Sequence, residues 1–563
     1  MAQRFQMAGV QRRENVLLHL HRCEKKQSPC HVRNNELPKK ILRRYMNVAT
    51  KKVWSNQEKA IMSAMKTAYF VTQMNLPISH YGEMIEFLCF QGCEDLAHLS
   101  AGGNCTYTSR TTAQSFLEAF SDVIEEEPLQ QLKGSSYLSL LIDESTDLII
   151  TKKLIMYVRF ISKGRVLTRF LCNLELNNGT AAAIKEAIDA YFLKIGVSPS
   201  KLVGFGSDGA SVMLGSKNGV ATKLREHNPF MVNVHCVAHR FALCTSQGAN
   251  KVSLIKGFVE TLTGLYYFFQ HSAVRCSKLQ TVQEALEEPI LSVKEVHSLR
   301  WLAFFKALNN VFCCWASITT TLGDEASDEG KGNAKAKGLY KAFTKFEFIA
   351  TMHFLMDLVP VMQNVSKLFQ RVDIDFSVVM PIVTSTVEAL AAMKETNGPH
   401  LNKFISSIHG QEGDSLHFQG IDISCSSERV TFQRARVNFI DEIIENVQNR
   451  FPVSQGGVIS AFSVLNFKES LAYSSSKLEG MLEVLLDHYG QDKGVCPALI
   501  DANKCKLELQ VLVPLVRDNY SGLSFQELWG EIFDKYCEQF PELLKLAQLA
   551  VLLPFSTADC ERA

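Results

Sequence analysis

Two aspartates in this sequence stand where a short apolar run gives way to a polar turn: Asp143 in LLIDESTD and Asp208 in GFGSDGAS. If the two runs are neighbouring parallel strands, both carboxylates leave the same edge of a sheet, the edge at which open α/β sheets place their sites. Two carboxylates meeting at one point repel unless a cation joins them. Mg2+ held by a few carboxylates and by substrate phosphates is the ordinary solution. Two such ions activate water and stabilise the leaving oxygen in phosphodiester cleavage. Aspartate after a strand is also a common turn former or helix cap, so each residue carries a structural reading beside the catalytic one.

The elements that would position these aspartates are legible from periodicity. LSLLID (138–143) is a short apolar strand. LIMYVRFI (154–161) and VLTRFLCNLEL (166–176) follow, joined by the hairpin signal Ser162-Lys163-Gly164-Arg165. TAAAIKEAIDAYFLKIG then sets Ile184, Ile188, Tyr191, Phe192 and Ile195 at helical spacing, with Gly196 where a helix end favours positive φ. KLVGFGSD (201–208) reads as a strand parallel to the first, because a helix crosses over between them. MVNVHC (231–236) is a further strand, followed by a helix. This order predicts an α/β layer with a mixed sheet, and aspartates on its first and fourth strands are the ribonuclease-H-like nuclease layout.

The rest of the chain reads as helical. NQEKAIMSAMKTAYFVTQMNLPIS places Ile61, Met65, Ala68 and Tyr69 on one face and ends at Asn75-Leu76-Pro77. From 302 to 550 strand signals mostly vanish. Residues 323–338 read as a polar, Gly-rich linker or exposed loop, 339–371 as a helix that Pro360 kinks or splits, and 410–428 as a loop. Val437, Ile440, Ile444, Val447 and Phe451 mark another helix.

Composition excludes bulk disorder: 46% of residues are apolar and 21% charged. The formal net charge of +1 names no partner, but its distribution does more. Residues 1–60 hold 14 Lys+Arg against 4 Asp+Glu, leaving 45 against 54 in the remainder. A basic arm on a mildly acidic body suits phosphate contact, a nuclear address or a solvated tail. No run of 18 or more apolar residues occurs, so no membrane span is expected, and the polar N-terminus lacks a signal peptide's apolar run. The 16 cysteines are then expected as reduced thiols. Cys23, Cys30 and His31, with His19 and His21, cluster at a spacing that matches no common zinc finger.

Five motifs in order, LLIDESTD, GFGSDGASVM, HCVAHRFAL, SLRW and LLPFSTADCERA, resemble the motif series of hAT-family DNA transposases. They are similar in particular to the vertebrate hAT-derived zinc-finger proteins, and AMKTAYFVTQMNLPIS upstream also looks like that group. The resemblance runs from about residue 50 to the end. It implies a DDE triad of Asp143, Asp208 and Glu561 that holds two Mg2+ or Mn2+ ions, cuts DNA at transposon ends and joins the freed ends to target DNA. Cys236 and His239 match the family's C-x2-H motif, which supports the active site, a buried thiol and a satisfied histidine being the structural alternative. Trp301 and Arg300 match its RW motif, in which the Trp stacks on a base near the cut; a core Trp is the alternative.

The resemblance also sets the expected architecture: an α/β ribonuclease-H-like core with a mixed sheet, interrupted by a large all-α insertion domain and preceded by a helical N-terminal region. The boundaries are a basic arm at 1–55, a helical domain at 56–134, the core at 135–301, the helical insertion at 302–550, and at 551–563 the start of the final core helix and of a shortened dimerisation region. DNA is the expected partner, with no membrane, a nuclear location, and self-association if the dimerisation region is completed. The family's usual BED zinc finger is not found, and the chain stops at Ala563, two residues past Glu561. A two-turn helix begun by a capping box at Ser556-Thr557-Ala558-Asp559 would fray at such an end and hold Glu561 poorly. Three readings remain: a metal-dependent DNA transposase; a domesticated, catalytically inactive protein that binds DNA or other proteins with the same fold; or a fragment or pseudogene product with no settled role.

Overall fold

The structure, a computed structural model, describes residues 56–97, 99, 107–146, 151–296, 301–327, 333–371, 374–408, 416–424, 428–452, 457–494 and 496–562. The basic arm with His19, His21, Cys23, Cys30 and His31 lies outside the described residues, as does Arg300.

Two compact units are present, one of the described residues up to Cys236 together with Gly457–Ala563, the other Val237–Gly456. This division follows the sheet differently from boundaries at 302 and 550, since the helices from Val237 onward group with the second unit and everything from Gly457 with the first.

The first unit opens with helices α1 (Asn56–Gln73), α2 (Tyr81–Phe90) and α3 (Arg110–Gly134). The buried face of α1 is Ala60, Ala64, Ala68 and Val71, so of the expected stripe only Ala68 is fully buried. Alanines at this spacing leave room for close helix approach, and the larger Ile61 and Met65 flank the contact half-buried. Strand β1 (Leu138–Thr146) pairs antiparallel with β2 (Lys152–Ser162), and β2 with β3 (Arg165–Glu175). The β2–β3 turn is Lys163-Gly164, both at positive φ (50° and 71°), the two-residue geometry whose twist suits a hairpin. Helix α4 (Ala181–Ile195) is capped by Thr180 and ends at Gly196 with φ 67° and ψ 35°, the left-handed end read from the sequence. Strand β4 (Leu202–Ser207) then lies parallel to β1, and after the short helices α5 (Ser211–Leu214) and α6 (Val220–Arg225) strand β5 (Val232–His235) lies parallel to β4. The order β3-β2-β1-β4-β5 is the mixed five-stranded sheet expected, and it fits an RNase-like domain beside a helical region.

Among the described residues the second unit is helical apart from one small hairpin. It includes α7 (Val237–Lys251), α8 (Ser253–Gln270), α9 (Trp301–Cys313), α10 (Phe346–Phe369) and α11 (Glu428–Arg450). Three expectations are corrected here. Helix α10 runs through Pro360 unsplit; the break falls at Thr344-Lys345, where Phe346 N donates to Ser424 O and Ser424 N to Thr344 O. The expected loop at 410–428 contains a hairpin, Leu416–Phe418 with Ile421–Ile423, turned by Gln419 and Gly420 at φ 49° and 78°. The expected linker at 323–338 is helical at both ends, and a Cβ on Gly323 would come within 3.1 Å of the Tyr340 ring, so the small residue there allows two helices to approach. By length and composition α10 and the stretch Phe376–Ser407 would suffice to cross a membrane, although neither is an unbroken apolar run. The apolar window of α10 is 78% buried inside the protein, as expected of a core helix.

The chain returns to the first unit with α12 (Ser475–Tyr489), α13 (Ala502–Asn519), α14 (Phe525–Tyr536), α15 (Pro541–Leu552) and α16 (Ala558–Arg562). One sheet face carries the main core: Leu140, Ile142, Leu154, Met156 and Phe205 pack with Ile184, Ile188 and Phe192 of α4. The opposite face receives the end of the chain.

Candidate active site

Asp143 leaves β1 on the face opposite α4, because alternation along the strand puts it with Ser139 and Leu141. Gly204 and Gly206 share that face on β4, opposite Ser139 and Leu141, and the same alternation carries on to Asp208 just past the strand end. The two strands are therefore neighbours, parallel and in a register that brings the aspartates to one edge. Asp208 Oδ1 accepts from Ala210 N at 3.0 Å, which makes it a turn former as well. Gly209 is at φ 84°, and an added Cβ there would come within 2.3 Å of the His235 ring, so this turn has no room for a larger residue.

Glu561 arrives from 353 positions beyond Asp208 on α16, a helix of five residues. It begins differently from the expected capping box: Ser556 Oγ accepts from Ala558 N, and Thr557 O accepts from Cys560 N and Glu561 N. The start of this helix is packed against the sheet. Cys560 is fully buried among Leu141, Ile155 and Tyr157, and Thr557 N donates to Cys236 Sγ at 3.3 Å. Cys236 thus stands at the end of β5 as a fully buried acceptor that ties down the start of α16.

Asp143 feels the repulsion of the other two acids. Burial pushes the Asp143 carboxyl from its ordinary 3.8 up to about 7, the Glu561 and Asp208 charges push the same way, and the Glu144 amide opposes them. Burial, with Asp143, Asp559, Cys236 and Glu561 nearby, raises the Cys560 thiol well above its ordinary value, which keeps it protonated. Among the described residues no group of three or more His, Cys, Asp and Glu side chains is close enough to hold a metal ion, so the carboxylates act on one another without forming a closed cage. Their donor chemistry, three carboxylates and no nitrogen or sulfur, fits a hard cation such as Mg2+ or Mn2+. A cation there would relieve the unfavourable charge on Asp143.

His239 lies half-buried in the first turn of α7. Trp301 begins α9, while Arg300 lies outside the described residues. Sequence reasoning missed several residues around the acids. Arg159, 5% exposed, pairs with Ser139 and donates from Nε to Val551 O at 2.8 Å. Pro554 lies on Gly204 and Gly206. Asn173 continues the cross-strand row Asp143–Ile155–Asn173, and its buried Oδ1 has no hydrogen-bond partner. The glycines left a readable signal, since two of them at alternate positions of a strand mark a face approached closely by another chain segment.

Residues 31–219 match the family model described as DUF4371: ZMYM1/FAM200, RNase-like domain. The match takes in Asp143, Asp208 and strands β1 to β4, and it fits a transposase-derived or domesticated chain.

Proposed function

We propose that this chain derives from a hAT transposase and that its sheet edge binds DNA phosphates over Asp143, Asp208 and Glu561. The observation that carries the reading is Asp143, whose carboxyl is pushed up to about 7 by burial and by the charges of the other two acids. Asp143 and Asp208 are half-buried and Glu561 is exposed; like charges gathered at a strand end repel, and they make chemical sense where a cation and a phosphate complete the site. Mg2+ or Mn2+ bound by these carboxylates supplies water activation and stabilisation of the leaving oxygen. The chain's part is to hold the three carboxylates at one edge, and to keep Asp143 in an environment where its charge favours a cation. Trp301 and Arg300 would hold a base of the bound DNA, in keeping with the stacking that aromatic platforms offer nucleic acids. The helical unit is then the insertion domain of the family, and the basic arm gives non-specific phosphate contact and a nuclear address.

The test is cleavage of duplex DNA with Mn2+. The reading expects nicking that Asp208→Asn abolishes while DNA binding persists; nicking that survives Asp208→Asn overturns the triad. A second reading, a domesticated protein that binds DNA without cutting it, is favoured by the bond from Ala210 N to Asp208 Oδ1, which gives this aspartate a structural role. That reading expects no cleavage by the wild type, and unchanged DNA affinity when Asp143 and Asp208 are both replaced by Asn.

A further inference from the structure

We propose that Arg159, with the glycine pair Gly204 and Gly206, positions Glu561 by seating the segment from Val551 to Cys560 on the sheet. The inference rests on the three-carboxylate reading of the site. Glu561 sits on α16 directly after the segment that runs from the end of α15 along the sheet. What that segment touches sets where the helix carrying Glu561 starts.

Contacts recur about every three residues along the segment. At its start, Arg159 Nε donates to Val551 O at 2.8 Å. That carbonyl belongs to the last turn of α15, where intrahelical partners run out and a cation is favoured. Arg159 is 5% exposed, and burying a guanidinium is costly unless its bonds are well placed. Paired with Ser139, it stands on the sheet face that also carries Leu141 and Asp143.

Next, Pro554 lies on the floor made by the two glycines. A Cβ on Gly204 would come within 3.1 Å of its ring, and one on Gly206 within 3.0 Å of both the ring and its carbonyl oxygen. Thr557 N then donates to Cys236 Sγ, and Cys560 fills the pocket between Leu141, Ile155 and Tyr157. Glu561 follows directly. The contacts that Arg159 and the glycine floor make are with the segment leading to Glu561, through which they act on it.

The experiment measures Mn2+ affinity of the full chain by electron paramagnetic resonance, for the wild type, Arg159→Met and Gly206→Ala. Ile188→Ala, a core change on the opposite face of the sheet, controls for simple loss of stability. The proposal expects both seat variants to weaken Mn2+ binding by about 10-fold or more, the scale on which groups that orient metal ligands act, while the control binds as the wild type does. Gly206→Ala decides the matter alone if Arg159→Met does not fold. Unchanged affinity in the seat variants, with binding lost in Asp143→Asn, overturns the positioning role and leaves the site reading intact. A wild type that binds no Mn2+ overturns both.

Discussion

Asp143 is the residue on which the account turns, and its ionisation makes a direct prediction. Its folded-state carboxyl titrates at about 7 against 3.8 ordinarily, with burial as the main cause. Between those values the folded chain holds a proton that the unfolded chain has released. The group's contribution to stability is therefore complete below the lower value and lost as pH rises through the upper one. In metal-free buffer the melting temperature should fall between about pH 4 and about pH 7, and Asp143→Asn should flatten the fall. The two aspartates were legible because each ends an apolar run before a polar turn. Glu561 was legible only through motif order, since nothing in STADCERA by itself points to a sheet 353 positions earlier. Arg159 was not legible at all: in an alternating strand it reads as a solvated residue, and its partner carbonyl is 392 positions away.

At the scale of elements, the parts set by local chemistry were the readable ones. The hairpin turn, the crossover helix with its glycine end and the parallel β1–β4 pair follow from short-range patterns. Gly196→Ala should cost about 1 kcal/mol, the penalty for an L-residue in the left-handed region, read as a lower urea midpoint with an unchanged slope. The parts that were misread depend on distant contacts. Thr344-Lys345 breaks a helical run because Ser424 bridges to it, and Gly323 stays helical because Tyr340 packs against it. The final helix was expected to fray as about two turns with a free end; at its start Thr557, Ala558 and Cys560 are all buried. Length sets the stability of an isolated helix, but in a folded chain tertiary packing decides.

Across the whole molecule the two units differ in what pH does to them. In the helical unit His353 is 6% exposed, stacked on Phe404 at 4.8 Å and bonded through Nδ1 to Ile349 O. Burial lowers its pKa from 6.5 to about 4, with the Ile349 carbonyl opposing. A depressed histidine contributes stability that is present above 6.5 and lost as pH falls through about 4. Acid should therefore weaken this unit, and His353→Gln should reduce the dependence, followed by near-ultraviolet circular dichroism of the aromatic cluster. The sheet unit shows the opposite slope near neutrality through Asp143. The central proposal, that a cation would draw the acids of β1, of the end of β4 and of α16 into one site, is tested most directly by Mn2+ affinity measured at about pH 8 for Asp143→Asn, Asp208→Asn and Glu561→Gln. The account predicts that the wild type binds Mn2+ and that each single substitution weakens it. Binding that is indifferent to Glu561→Gln, or a wild type that binds none, would contradict it.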